Sequence, residues 1–252
     1  MSVMVSSVAF GNILGIVLNA WLITRFGISY AFFVPGVITI AFCMLNLFFT
    51  RKVAFEEKTK NVYVPFLSLL RNKEILKMTL PAAFHGIMKE NISLWMTVFI
   101  VERYAVDLST SSYYVLIIPT IGLLGRLLYP GALRLLGENE NFVSCAGFII
   151  CIVASAVLCL DGVGILAAAL SLGLVYTAVS MINTSFLSIY PLRYAKTHNE
   201  AAVSGIMDFA TYFGGGISGV LYGIVIKFFG YVPMFASWAV ISAISLAVIL
   251  KI

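Results

Sequence analysis

The chain alternates long apolar stretches with short charged ones. No Asp, Glu, Lys or Arg occurs in 1–24, 26–50, 108–125, 141–160, 162–192, 209–226 or 228–250. A helix needs about 20 apolar residues to cross the hydrocarbon core of a bilayer, and most of these windows reach that length. The pattern predicts eight spans, at 4–24, 29–50, 78–101, 112–135, 141–160, 163–189, 201–226 and 231–250. The links at Arg25–Ser29, Asp161–Gly162 and Phe229–Tyr231 are short, so the helices they join are expected to form antiparallel hairpins. Pro81, Pro119 and Pro130 fall inside spans, where proline kinks a helix. One long connection remains, 51–77. In it Pro65 can open a helix with Phe66, Leu69, Leu70 and Leu76 on one face and Arg71, Lys73 and Lys77 on the other, the pattern of a helix lying at a membrane surface.

Composition narrows the class further. Hydrophobic residues make up 61% and charged residues 11% of the 252 residues, and the mean hydropathy is +1.03. Soluble domains carry about 25% charged residues, so this chain could not cover its own surface in water. An all-α, multi-pass membrane protein is expected, and soluble enzymes, nucleic-acid readers and secreted disulfide scaffolds are excluded. Cys43, Cys145, Cys151 and Cys159 lie in apolar windows with no CxxC pair, and read as free thiols acting as small hydrophobes. Met1 opens inside an apolar helix, without the basic n-region or cleavage site of a signal peptide.

The net charge of +5 carries topological information rather than pointing to an anionic partner. With 51–77 placed in the cytoplasm, twelve Lys and Arg fall on that side: Arg51, Lys52, Lys58, Lys60, Arg71, Lys73, Lys77, Arg126, Arg134, Arg193, Lys196 and Lys251. Three fall on the other, Arg25, Arg103 and Lys227, and Lys89 lies within a span. That asymmetry satisfies the positive-inside rule and puts the C-terminus in the cytoplasm as well.

An internal repeat sets the expected architecture. Phe26-Gly27-Ile28-Ser29-Tyr30-Ala31-Phe32 and Phe229-Gly230-Tyr231-Val232-Pro233-Met234-Phe235 share Phe, Gly and Phe at one spacing, and the same offset brings Gly11 onto Gly214. The last two helices thus repeat the first two. Parallel halves of six helices joined by a cytoplasmic loop are a known transporter plan. On that plan, 1–50 holds the last two helices of an N-terminal half, 51–77 is the inter-half loop, and 78–252 is a six-helix bundle. The chain is expected to be the last two-thirds of a twelve-helix protein.

The same residues resemble the major facilitator superfamily, and within it the bacterial sugar-phosphate or organophosphate permease-like branch. Phe26 to Gly36 is similar to that branch's Phe-Gly-Trp-Arg-Tyr-Ala-Phe-Phe-x-Pro-Gly segment between helices five and six, with Ile28 and Ser29 in place of Trp and Arg. Gly86 to Trp95 and on to Phe99 is similar to its helix-seven pattern, with Thr97 where Pro is usual. Gly122-Leu123-Leu124-Gly125-Arg126, followed by Arg134 and Gly137, is similar to the second copy of the superfamily's loop motif between helices eight and nine. The acidic residue of that motif is missing here, and Tyr129-Pro130-Gly131 occupies the region. The resemblance implies helices five to twelve of a secondary transporter.

Candidate chemistry concentrates in the third span, which carries Lys89 and Glu90 near its middle and His85 one turn earlier. A charge at the bilayer centre costs about 2.5–3.5 kcal/mol on insertion scales, so such residues usually face a cavity. Gly86, Glu90, Ser93 and Thr97 recur at helical spacing with Lys89 alongside, which reads as a wet stripe. Adjacent helix positions point apart, so Lys89 and Glu90 are not expected to form an ideal local pair, and each is expected to have another partner or to meet substrate; Asp208 is the candidate partner for Lys89 in a purely structural pair. Asn91 and Trp95 would shape a pocket, Ser93 and His85 would line it, and Glu90 or Asp208 would couple transport to an ion. Gly215, Gly219 and Gly223 form a GxxxGxxxG row, with Gly11 and Gly15 a second, and such rows let helix backbones approach closely. No nucleophile elbow, zinc spacing, phosphate loop or paired catalytic carboxylate is present, so catalysis, a cofactor, a metal and nucleic acid are not expected.

The expected function is secondary active transport of a small polar or anionic solute across a bacterial plasma (inner) membrane by alternating access, driven by a proton gradient or an exchanged anion. Two other readings fit the same features: a transporter-like receptor that binds without flux, and a non-functional fragment.

Overall fold

A computed structural model describes residues 2–50 and 66–252. Among them the chain is helical throughout, with no strand: α1 (Ser2–Phe26), α2 (Ile28–Thr50), α3 (Phe66–Leu70), α4 (Lys73–Tyr104), α5 (Leu108–Leu135), α6 (Glu140–Leu158), α7 (Ile165–Thr184), α8 (Glu200–Phe229) and α9 (Val232–Ile249). Every expected span coincides with one of the long helices. Among the described residues, six segments are long and apolar enough to cross a membrane: 28–49, 108–135, 140–158, 165–197, 200–229 and 232–249. Among the described residues α1 adds a shorter apolar stretch, Ile13–Phe26, and the 32 residues of α4 include Lys89 and Glu90.

The loop 51–77 differs from expectation. The stretch 51–65 lies outside the described residues. Beyond it the helix expected from Pro65 to Lys77 is cut in two. α3 covers only Phe66–Leu70, and Asn72 starts α4 by accepting from the amides of Glu74 (2.9 Å) and Ile75 (3.5 Å). An asparagine cap satisfies amide groups that a helix start leaves free, so Lys73, Leu76 and Lys77 belong to α4. The same device opens two other helices. The Asp107 carboxylate accepts from the Thr110 amide at 3.1 Å and from the Ser109 hydroxyl, and Asn139 caps α6 through the Asn141 amide at 2.9 Å. The Ser109 hydroxyl and the Thr110 groups hold the Asp107 carboxyl below the usual carboxylate range.

The chain divides into two compact units, Phe10–Asn61, and Val62–Ile252 with Met1–Ala9. In the first, Gly27 alone links α1 to α2, at φ +95°, and its amide donates to the Leu22 and Ile23 carbonyls. The expected hairpin is not formed: among the described residues α1 and α2 do not pack along their lengths. Large side chains such as Phe32, Phe33 and Ile40 stand exposed. Close helix association in a membrane relies on small or hydrogen-bonding interface residues, and Gly11 and Gly15 have no atom within 4 Å of where a Cβ would stand.

The second unit is a six-helix bundle. α4 packs on α8 and α9, α5 on α7, and α6 on α7 and α9. Met78, Met88, Met96, Phe148, Leu172, Val175, Ile182 and Trp238 are fully buried at its core. Cys145 and Cys151 are buried in the same core, and all four cysteines are free. Both ends of α4 are fixed. Where it ends, Tyr104 donates to the Val163 carbonyl at 2.9 Å and Tyr231 to the Glu102 carboxylate at 2.7 Å. Gly230, at φ +76°, turns α8 into α9 as Gly27 turns α1 into α2, so the two copies of the repeat share a backbone device. After α7 the chain runs through one π turn, Ser185–Ile189, and a 3-10 turn, Tyr190–Thr197. Pro191 has no amide to continue an α-helix, and the Ser204 hydroxyl donates to the Leu187 carbonyl at 3.0 Å.

Candidate functional site

The candidate residues of α4 lie along its seam with α8. Its closeness comes from glycine. A Cβ on Gly86 would stand 1.8 Å from the Thr211 carbonyl oxygen, one on Gly214 would stand 2.4 Å from the Ala83 carbonyl oxygen, and one on Gly215 would stand 2.4 Å from Glu90 Cγ. Further along, Gly219 faces Leu94, and Gly223 faces the Trp95 ring. The GxxxGxxxG row is therefore the groove that receives α4. Gly86, read as part of a wet stripe, is buried against backbone.

Lys89 and Glu90 emerge beside this seam. The two meet, though not as an ideal local pair: Lys89 Nζ lies 3.4 Å from Glu90 Oε1, with the two side chains 22% and 29% exposed. Long side chains can bend back over the 100° between neighbours, though the contact stays long for an ion pair. Asp208 is not the partner of Lys89 and forms no ion pair among the described residues. One turn further along α8, Tyr212 takes that place. Its hydroxyl is 3.5 Å from Lys89 Nζ, and the ammonium sits 4.5 Å from the centre of its ring. The tyrosine is exposed. Sequence reasoning missed it, because Phe209, Tyr212 and Phe213 read as one apolar run.

The other candidates divide. Ser93 is exposed on the same stretch of α4 and Thr97 is half-buried. Asn91 is fully buried and turned to the partner helix, donating to Ser218 Oγ at 2.8 Å and to the Ile87 carbonyl at 2.7 Å. Trp95 is half-buried over Gly223, and its indole N–H has no partner among the described residues. His85 is fully buried. Its ring meets Phe186 edge-on at 6.2 Å, with the Ala82 and Val179 backbones as polar neighbours and no well-formed hydrogen bond.

The loop-motif residues lie elsewhere. Gly122 and Gly125 are the close-packing points of α5 on Tyr176 and Thr177 of α7, Arg126 is buried beside Tyr176, and Arg134 is exposed. A charge cluster of which sequence reading used only Arg193, for topology, joins three elements. Arg193, after α7, contacts Glu74 of α4 at 3.1 Å and Glu140 of α6 at 2.6 Å, with its guanidinium 5.4 Å from the Tyr190 ring centre.

The α4–α8 seam thus presents an ammonium with two loose holders on a partly open surface, an arrangement suited to receiving an anionic group. Comparison with known proteins places the fold around it. The family description "Major Facilitator Superfamily" matches residues 1–219.

The chain belongs to the Major Facilitator Superfamily.

It is accordingly a multi-pass membrane protein of a transporter family. Among solved structures it is similar to a crystal structure of a Major Facilitator Superfamily transporter, FucP, in the outward conformation, at 18% identity and a TM-score of 0.60. The match covers 88% of this chain and 54% of that one, so the chain spans about half the length of that structure. No curated protein matches the chain.

Proposed function

We propose that this chain contributes the six-helix half, and two helices of the other half, to a secondary transporter for a small anionic solute, an organophosphate or sugar phosphate, in a bacterial plasma membrane. The solute binds at mid-membrane between the halves, which rock to expose it to each side in turn. One observation carries the reading: in the middle of α4, an ammonium held by a tyrosine and a carboxylate keeps about a fifth of its side chain open. Charged groups inside a bilayer are costly and usually face a cavity or pathway.

In this reading Lys89 receives the solute anion, and Glu90 balances charge or carries a proton. Ser93 and Trp95 border the solute, His85 and Asn91 support the wall behind it, and Asp208 is a second coupling carboxylate. Arg126, Arg134, Gly122 and Gly125 belong to the loop motif. The segment 51–77 and the C-terminus face the cytoplasm. An ion gradient or anion exchange drives the cycle.

Uptake into proteoliposomes tests it. A protein extended upstream by four helices should accumulate labelled glycerol phosphate saturably, and Lys89→Ala should weaken binding by about 1.5–3 kcal/mol, the worth of a charged hydrogen bond. The 252-residue chain alone should bind without uptake. Saturable binding without flux in the extended protein would favour a receptor, and Lys89-independent uptake would contradict the site.

A further inference from the structure

The first turns of α4 carry a surface that the solute site does not use. Lys73, Leu76, Lys77 and Leu80 stand at i, i+3, i+4 and i+7, so they form one stripe along the helix, and all four are exposed. Arg71, exposed as well, precedes them in the corner between α3 and α4. That corner is anchored. Leu69 of α3 is buried in the bundle core, the Arg71 and Asn72 amides donate to the Ser68 and Leu69 carbonyls at 3.2 and 3.1 Å, and Asn72 caps α4. Three cations therefore stand on a fixed mount.

Their charge is not neutralised within the bundle. Glu74 is the acidic residue of this first turn, but Arg193 holds it at 3.1 Å. No ion pair reaches Arg71, Lys73 or Lys77 among the described residues. Asn72 already occupies the Glu74 and Ile75 amides, so any pull on an anion comes from the three side chains. Helical side chains tilt toward the N-terminus, which aims Lys77 back toward Lys73 and Arg71. The depth also fits. With 32 residues, α4 is about 48 Å long, against roughly 30 Å of hydrocarbon core. Its first turn can stand among lipid headgroups while Leu80 lies beside the acyl chains.

We infer that Arg71, Lys73 and Lys77 form a binding site for an acidic phospholipid in the leaflet that 51–77 faces. The lipid phosphate sits among the three cations as a charge-assisted hydrogen-bond acceptor, and its acyl chains run along Leu76 and Leu80. The lysine stems lie against the same apolar stripe while their ammoniums reach the headgroup. A zwitterionic headgroup brings a cation of its own, which the three basic side chains repel, so the site selects acidic lipid over phosphatidylcholine. It is separate from Lys89 and stands whether or not the solute reading does.

Native mass spectrometry of the detergent-solubilised chain, titrated with phosphatidylglycerol or with phosphatidylcholine of the same acyl chains, reads the site. Each basic side chain at a membrane surface contributes about fivefold. Lys73→Gln with Lys77→Gln should therefore weaken the first phosphatidylglycerol by roughly 10- to 30-fold and leave phosphatidylcholine nearly unchanged. Lys227→Gln with Lys251→Gln removes the same charge from exposed positions elsewhere and should change neither lipid. Glycerophosphoglycerol, the same headgroup without chains, should not bind measurably. If the Lys73 and Lys77 variant does not fold, raising the salt on wild type should loosen phosphatidylglycerol alone, because salt screens exposed charges. Equal affinity of wild type for the two lipids, equal losses in the two pairs of variants, or a salt-insensitive preference would overturn the site. Tight binding of glycerophosphoglycerol would also overturn it, by making the occupant a soluble anion.

Discussion

A methyl group on Gly86 would collide with the Thr211 carbonyl oxygen, and no flexible side chain is there to yield. Gly86→Ala should therefore destabilise the bundle by about 1–3 kcal/mol, the usual cost of overpacking. Gly216 lies on the same seam's helix but has nothing within 4 Å. Gly216→Ala should be neutral or stabilising by up to about 1 kcal/mol, because alanine favours helix. Thermal melting in detergent separates the two. The pair also marks what residue-level reading could reach. Intramembrane Lys89 and Glu90 were legible from their rarity, whereas the role of Gly86 was not, since a glycine looks the same on a wet face and in a tight seam. Tyr212 escaped because its partner lies 123 positions away in sequence.

At the scale of elements, apolar window length located all eight long helices, and errors fell where local chemistry overrode it. Asn72 ahead of Glu74 was a readable cap signal, yet the amphipathic pattern across 65–77 hid it. Asn72→Ala should lower stability by about 1 kcal/mol, the typical worth of a cap, as a lower melting temperature. The clamp of Arg193 on Glu74 and Glu140 links three elements and was invisible because Arg193 was read only as one of the cytoplasmic cations and its two carboxylates lie far from it in sequence. Glu140 is buried, so Arg193→Gln strands a carboxylate and should cost about 1–3 kcal/mol. Arg193→Gln with Glu140→Gln should recover part of that loss in the same melt. A double variant less stable than the sum of its singles would contradict the clamp.

For the whole molecule, composition alone was enough for an all-α membrane class, and the family match and the fold agree with it. The expected α1–α2 hairpin failed because short links bring helix ends together without supplying an interface. Orientation rests on the twelve-to-three distribution of Lys and Arg. Tags within 51–77 and after Ile252 should report the cytoplasm, and a tag at Ser109–Ser111 the opposite side; a 51–77 tag reporting the outside would overturn the span assignment. The central claim is that Lys89 and Glu90 form a solute site rather than a structural pair, and a stability-and-binding cycle over wild type, Lys89→Ala, Glu90→Gln and the double variant tests it most directly. With both side chains partly open, the account predicts that each single change shifts stability by no more than about 1 kcal/mol, while Lys89→Ala weakens glycerol phosphate binding by about 1.5–3 kcal/mol. Loss of about 3–5 kcal/mol in both single variants, as for a broken buried pair, with recovery in the double, would contradict it.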